Sequence, residues 1–235
     1  MTIDHSVSLN SNGYTIVENI FSHGEVENII SCINDADESG PNYLKSGDLF
    51  AIRKILKEIP AIQPLIFNAK MLELINQIFG SDYFVVKSIY FDKPEQSNWF
   101  VAYHQDLTVS VDKKTNIDGF GPWTIKPGQY AVQPPPEILQ SIFTIRIHLD
   151  DTDETNGALK VIAGSHDRGI YKSELLDFEK EKVCKVPKGG IMIMRPLLFH
   201  SSGRSTSANK RRVIHIEFCN QSLPEPLDWA EFMKP

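Results

Sequence analysis

From Asp82 onward the chain is written in short runs rich in β-branched and aromatic residues, and this pattern constrains its fold more than any other feature. Tyr83 to Phe91 is the first run and Asn98 to Leu107 the second. Ile142 to Leu149, Ala158 to Ile162, Lys182 to Val186, Gly190 to Met194 and Arg212 to Phe218 complete the set. In Ile142 to Leu149, Phe143, Ile145, Ile147 and Leu149 alternate with Thr144, Arg146 and His148, which is the period of a strand. Gly, Asn and Pro turns separate the runs, so the set reads as a sandwich or jelly roll.

The first third reads differently. Gly13 to Val17 is a short strand after an Asn12-Gly13 turn. Ser22-His23-Gly24-Glu25 fits a capping box, and Val26, Ile29, Ile30 and Ile33 follow at helical spacing. A second helix is expected over Phe50 to Glu58, ending before Pro60. A third is expected over Ala69 to Phe79, with Leu72, Ile75 and Phe79 on its buried face and Gly80 as its C-terminal cap. Helices followed by strands predict a mainly β core with helices packed on one side, in one domain over residues 1–235.

Residues 109–138 interrupt the pattern with Gly119, Gly121, Gly128 and Pro134-Pro135-Pro136. A long irregular loop inside a compact domain usually has a function. Phe120, Trp123 and Tyr130 make it too aromatic for a plain linker, so it reads as a lid over a substrate.

The formal charge of −6, with Lys210-Arg211-Arg212 the one basic cluster, argues against a nucleic-acid surface. Cys32, Cys184 and Cys219 are odd in number and far apart, which fits a reducing compartment and buried thiols better than a disulfide framework or a zinc site. No apolar run approaches the roughly 18 residues needed to span a membrane, and Met1-Thr2-Ile3-Asp4-His5 does not open like a signal peptide. The expectation is a soluble, cytoplasmic protein. Nothing in the chain speaks to its oligomeric state.

Against this background three residues stand out. His104 and Asp106 form an H-x-D dyad, and His200 follows the apolar run Ile191 to Met194. Residues i and i+2 of a strand point to one face, so His104 and Asp106 can reach one ion. Two imidazoles and a carboxylate are the facial ligand set of non-haem Fe(II). A lone H-x-D arises often by chance; the distal His200 and, eleven residues later, Arg211 give it weight. A guanidinium grips a carboxylate in bidentate fashion, and Arg211 opens a strand that a loop joins to His200. Arg212 is the neighbour with which it can be confused.

Taken together, Trp99 to Asp106, Leu149-Asp150-Asp151 through Asn156-Gly157-Ala158-Leu159, Gly164-Ser165-His166 and His200-Ser201-Ser202-Gly203 through Arg211 resemble the phytanoyl-CoA dioxygenase family of Fe(II)/2-oxoglutarate-dependent oxygenases. Gly13 to Val17 resembles the family's opening, so the resemblance spans nearly the whole chain. It implies a double-stranded β-helix (jelly-roll, cupin-like) core. It implies Fe(II) held by His104, Asp106 and His200, and 2-oxoglutarate held by Arg211 with Ser202. Thr144 is a further candidate for the co-substrate. The implied reaction uses O2 to hydroxylate or otherwise oxidise a small-molecule substrate, with succinate and carbon dioxide as co-products. Hydroxylation is the default; desaturation, epoxidation and ring formation use the same residues. The intact Asp106 argues against a halogenase.

The chain departs from the family at two places. Arg146 stands where the family often has tryptophan; a buried arginine needs an acidic partner, so a structural ion pair is expected ahead of a contact to 2-oxoglutarate or to an anionic substrate. Ala163 replaces a common proline before Gly164. His148, His166 and His215 read as structural histidines, Trp99, Phe100 and Tyr103 as packing residues, and Lys87 as a solvated lysine on a strand face. Two other readings stay open. One is a cupin-type metalloenzyme that does not use 2-oxoglutarate; the other is a barrel that binds a ligand and catalyses nothing.

Overall fold

The computed structural model describes residues 4–36, 40–47, 50–126 and 128–235. Residues 1–3, part of the stretch read against a signal peptide, and residue 127 of the 109–138 segment lie outside the described residues.

The chain opens with α1 (His5–Asn12), which the sequence reading did not anticipate; the Asp4 carboxylate caps it by accepting from the Ser6 and Val7 amides. β1 (Tyr14–Val17) and α2 (His23–Asn34) follow, and α2 begins at the expected capping box of Ser22 and Glu25. Next come β2 (Tyr43–Lys45), β3 (Phe50–Arg53) and a single turn, α3 (Ile55–Glu58). The helix expected over Phe50 to Glu58 is therefore half strand. Phe50 to Arg53 pairs with a neighbouring strand on each side, burying Ala51 and Ile52, and Lys54 breaks the chain direction at φ 54°. Tertiary pairing overrides the local pattern here.

α4 (Gln63–Ile66) leads to α5 (Ala69–Phe79), capped by Asn68 and stopped at Gly80, whose φ of 84° suits glycine. The buried face of α5 is Met71, Leu74 and Ile75, whereas Leu72 is 38% exposed. Leu72 sits one residue beyond Met71 and so points to a different side of the helix.

The remainder is β4 (Phe84–Lys93), β5 (Val101–His104), β6 (Val109–Val111), β7 (Trp123–Lys126), β8 (Gln129–Val132), the short α6 (Pro136–Gln140), β9 (Ile142–His148), β10 (Leu159–Ile162), β11 (Glu181–Cys184), β12 (Ile191–Met194), β13 (His200–Ser202) and β14 (Arg211–Cys219). One sheet has the order β1-β12-β9-β14-β4-β3-β2, and a second has β11-β10-β13-β5. The pairs within both are antiparallel. Strands distant in sequence lie side by side in two facing sheets, the jelly-roll arrangement.

The large sheet is covered on its outer face by the helices. Phe143, Ile145 and Ile147 of β9, with Ile214, Ile216 and Phe218 of β14, join Val26, Ile29, Ile66, Met71 and Ile75 in one core. Phe143 stacks on Phe79 with ring centroids 3.5 Å apart and on Phe218 at 4.8 Å. The other face of β9 and β14 looks toward the small sheet. All seven residues of β9 are buried for this reason, Thr144, Arg146 and His148 included. The polar half of its alternation thus faces an interior, not solvent.

Residues 109–138 are less irregular than their Gly and Pro content suggests. β6, β8 and β7 form a third antiparallel sheet. Val109, Val111, Val132 and Leu139 pack it against Leu227 and Trp229. Among the described residues no helix is long and apolar enough to cross a membrane.

Candidate metal centre

His104 ends β5 and His200 begins β13, and antiparallel pairing sets them opposite each other, with ring centroids 4.2 Å apart. Each ring's Nδ1 lies 2.9 Å from a backbone carbonyl, Ala102 for His104 and Leu198 for His200. A carbonyl only accepts, so both Nδ1 atoms carry a proton and the Nε2 atoms are the ones turned toward the site. Those two Nε2 atoms lie 3.7 and 3.8 Å from the carboxylate oxygens of Asp106. One ligand atom from each of the three residues falls within 4.8 Å of the other two.

Asp106 reaches this point by a different route from the one its spacing suggests. The strand stops at His104. Asp106 is fixed beyond it by its own amide, which donates to the Pro196 carbonyl at 2.9 Å, while the Gln105 side chain donates to Leu197 at 2.7 Å. His200 is held by the Gly164-Ser165-His166 turn: Ser165 Oγ accepts from the Phe199 amide at 2.8 Å. His166 itself is structural, with Nε2 3.1 Å from the Asn10 carbonyl.

Burial opposes ionisation of Asp106, but His200, then Lys87, His215 and His104, hold its carboxyl well below the usual carboxylate range. Burial pushes the His200 imidazole down to about 4, against the pull of Asp106. An ionised Asp106 and a neutral His200 are in the protonation states that a divalent metal requires. The donor set fits Fe(II).

Arg211 and Arg212 are separated cleanly. Arg212 turns to Asp150 and grips it with Nε at 2.9 Å and Nη2 at 2.6 Å. Arg211 turns into the same cavity as the His-Asp-His group and is only 2% exposed. Its Nη1 donates to Ser202 Oγ at 3.1 Å and to the Gly157 carbonyl, and Ser202 Oγ donates to that carbonyl at 3.0 Å. Gly157 makes this approach possible: at φ +86°, a Cβ there would meet Lys93 Nζ at 2.7 Å and the Gly203 carbonyl at 2.8 Å. Asn156 shapes the turn through Nδ2 to the Asp151 carbonyl and Oδ1 from the Asp153 amide. The Nε of Arg211 is buried without a partner, an orphaned donor that suits a carboxylate.

The cavity measures about 180 Å³ and is lined by Lys87, Trp99, Arg146, Leu159 and His215 besides these residues. Thr144 is not among its lining residues; it is wholly buried and its hydroxyl has no partner, and it makes no hydrogen bond to Arg211 or Ser202. Lys87 is not a solvated strand lysine. It pairs with Glu217 at 2.7 Å, and Glu217 also meets His215 Nε2 at 3.0 Å. His215 Nδ1 in turn lies 3.1 Å from Arg146 Nη1. Arg146 makes no direct ion pair among the described residues, and its Nε is buried without a partner; the Asp106 carboxylate acts on it only through space. Trp99 lines the cavity, Phe100 is 53% exposed, and Tyr103 bonds Glu181 at 2.5 Å.

The sequence reading missed the Lys87–Glu217–His215–Arg146 chain as a unit. Arg211, His215 and Glu217 do share a period-two face of β14. Their partners on β4 and β9 are set by register, with Glu217 opposite Lys87 and His215 opposite Arg146.

The buried histidines make stability depend on pH. Burial lowers His148 well below its ordinary value and also lowers His215, as it does His200. The folded state keeps them neutral, while the unfolded chain takes up protons below about pH 6.5. Their contribution is therefore complete above about 6.5 and is lost as pH falls toward 4. Thermal melts of the metal-free protein are expected to show Tm dropping steadily from pH 7 to pH 5. A flat or rising Tm over that interval would contradict the assignment of neutral histidines.

A family model described as phytanoyl-CoA dioxygenase (PhyH) matches residues 9–213. A protein of Stutzerimonas stutzeri described as a "probable alpha-ketoglutarate-dependent hypophosphite dioxygenase" is 22% identical over 238 residues, covering 88% of this chain and 74% of that one. Among solved structures, EctD from S. alaskensis in its apoform superposes with a TM-score of 0.72 at 18% identity, over 96% of this chain and 80% of that one. HygX from Streptomyces hygroscopicus, solved with nickel and 2-oxoglutarate bound, does so with a TM-score of 0.65 at 13% identity, over 96% and 89%. At such identities the structural likeness is one of fold.

Proposed function

The chain belongs to the phytanoyl-CoA dioxygenase family, and on that premise we propose that it is an Fe(II)- and 2-oxoglutarate-dependent dioxygenase acting on a small molecule. The observation that carries this is the convergence of His104, Asp106 and His200 in one cavity with Arg211, whose guanidinium keeps an unpartnered Nε. HygX, which shares the fold, was solved with a metal and 2-oxoglutarate, and the Stutzerimonas relative is described as dependent on the same co-substrate.

In this reading His104, Asp106 and His200 hold the iron, and Arg211 with Ser202 holds the far carboxylate of 2-oxoglutarate. Iron, 2-oxoglutarate and O2 together supply the oxidative chemistry, in which the co-substrate loses carbon dioxide to give succinate and the substrate is hydroxylated or otherwise oxidised. The protein positions the reactants and excludes water. Nδ1–H bonds to the Ala102 and Leu198 carbonyls fix the two imidazole rings. The hydroxyl of Ser202, donating to Gly157, presents its lone pairs to Arg211. Residues 1–235 work as one domain. The 109–138 segment lines a neighbouring cleft that shares Lys87 and Ile89 with the cavity, and in this proposal it closes over the substrate from that side. The three free thiols, Cys184 and Cys219 buried and Cys32 partly so, suit a reducing, cytoplasmic setting.

Purified protein supplied with Fe(II), O2 and 2-oxoglutarate is expected to release succinate, slowly without substrate and faster with it. Oxygen uptake indifferent to 2-oxoglutarate would favour a cupin-type oxygenase instead.

A further inference from the structure

Arg146 is the feature that the proposed function does not use. It is 7% exposed, its Nε has no hydrogen-bond partner, and it lines the cavity between the His-Asp-His group and Arg211 on the walls formed by β9 and β14. A buried guanidinium is costly to keep charged unless an anion pairs with it. Its hydrogen-bond partner, His215, does not supply a charge, and Asp106, the carboxylate that acts on it through space, also serves Lys87 and the histidines around it. Glu217 takes the Nε2 proton of His215, leaving Nδ1 to accept from Arg146. Lys87, on the far side, holds Glu217 ionised. The chain Lys87–Glu217–His215 therefore aims Arg146, and among the described residues no carboxylate makes a direct ion pair with it.

A charge count points the same way. Lys87, Arg146 and Arg211 set three positive charges in the walls against two negative ones, on Asp106 and Glu217. A divalent metal adds two, and a 2-oxoglutarate dianion offsets two. One positive charge is left over. Burial lowers Arg146 only to about 10, so it is charged at neutral pH.

We propose that Arg146 is the anchor of a second anion subsite, distinct from the Arg211–Ser202 cradle, which binds an oxyanion of the primary substrate, a carboxylate or a phosphorus oxyanion. This rests on the dioxygenase reading of the site. The substrate is then a compact anion whose charged end lies against Arg146 while its apolar part meets Trp99 and Leu159.

The test compares wild type, Arg146→Gln and Arg146→Lys, each loaded anaerobically with Fe(II). The affinity for 2-oxoglutarate is read from visible absorbance. The affinities of the 2-oxoglutarate complex for acetate and for methylphosphonate are read by titration calorimetry, and the two probes separate a carboxylate site from a phosphorus oxyanion site. Arg146→Gln is expected to leave 2-oxoglutarate binding within about twofold and to weaken the preferred probe by roughly tenfold to a hundredfold, the usual worth of a charge-assisted pair. Arg146→Lys is expected to recover part of that loss. A tenfold or larger loss of 2-oxoglutarate affinity in Arg146→Gln would overturn the proposal by assigning Arg146 to the co-substrate. Probe binding that is absent in wild type or indifferent to Arg146 would overturn it too. Failure of both variants to fold would make Arg146 structural and have the same effect. No absorbance change with 2-oxoglutarate in wild type would sink the dioxygenase reading itself, and this proposal with it.

Discussion

Asp106→Ala is expected to abolish turnover, lowering 2-oxoglutarate-dependent succinate release by about three orders of magnitude or more, well beyond the roughly 10–100-fold cost of losing a partner that only orients a ligand. Asp106 is the single anion among the three converging groups, and both imidazole Nε2 atoms face its oxygens. Without it the site offers two neutral donors in a cavity that still contains Lys87, Arg146 and Arg211. A divalent cation would then enter a net positive pocket with no carboxylate ligand. The turn that carries the side chain does not depend on the carboxylate, since the Asp106 amide makes the bond to Pro196. Circular dichroism of the variant should match wild type. His200→Ala should be equally inactive. Retention of more than a tenth of wild-type turnover by Asp106→Ala would show that the ligand set is misassigned.

Arg211→Ala is expected to raise the KM for 2-oxoglutarate by about 10–100-fold, the equivalent of roughly 1.5–3 kcal/mol for a charged hydrogen-bonded pair. At saturating co-substrate kcat should recover much of its value, because the iron ligands are untouched. Arg212→Ala is the control. Its side chain is committed to Asp150 and takes no part in the cavity, so the KM should stay within about twofold. A large KM effect from Arg212→Ala with none from Arg211→Ala would reverse the assignment.

Much of this site was legible in the sequence, because its parts are local motifs. His104 and Asp106 lie two residues apart, and Arg211 follows His200 at a fixed short distance. Asn156-Gly157 and Gly164-Ser165-His166 could be quoted before their roles were visible. In the structure they are the turns that present the Gly157 carbonyl to Arg211 and lock the start of β13. The rest depended on register, which local pattern does not encode. Arg146 was expected to find a carboxylate, but cross-strand pairing sets it opposite His215, and the carboxylate of Glu217 goes to Lys87. Thr144, two residues away on the same face, is wholly buried and is not among the residues lining the cavity.

The fold shows the same division. The capping box of α2 and the alternation in β9 were readable because each is complete within a few residues. Phe50 to Arg53 looked helical in isolation and became a strand because β4 offers it a ladder. The strands β6, β7 and β8 are three or four residues long, and Gly and Pro lie in the segments between them. No periodicity develops over so short a span.

The central claim is that His104, Asp106 and His200 hold Fe(II) while Arg211 holds 2-oxoglutarate beside it. Its most direct test is an anaerobic titration of the metal-free protein with Fe(II) and then 2-oxoglutarate, followed by visible absorbance. The expected result is a weak charge-transfer band that appears only when both are present, saturates at one equivalent, is absent in Asp106→Ala and requires more 2-oxoglutarate in Arg211→Ala. Confirmed iron binding with no band on adding 2-oxoglutarate would contradict the claim.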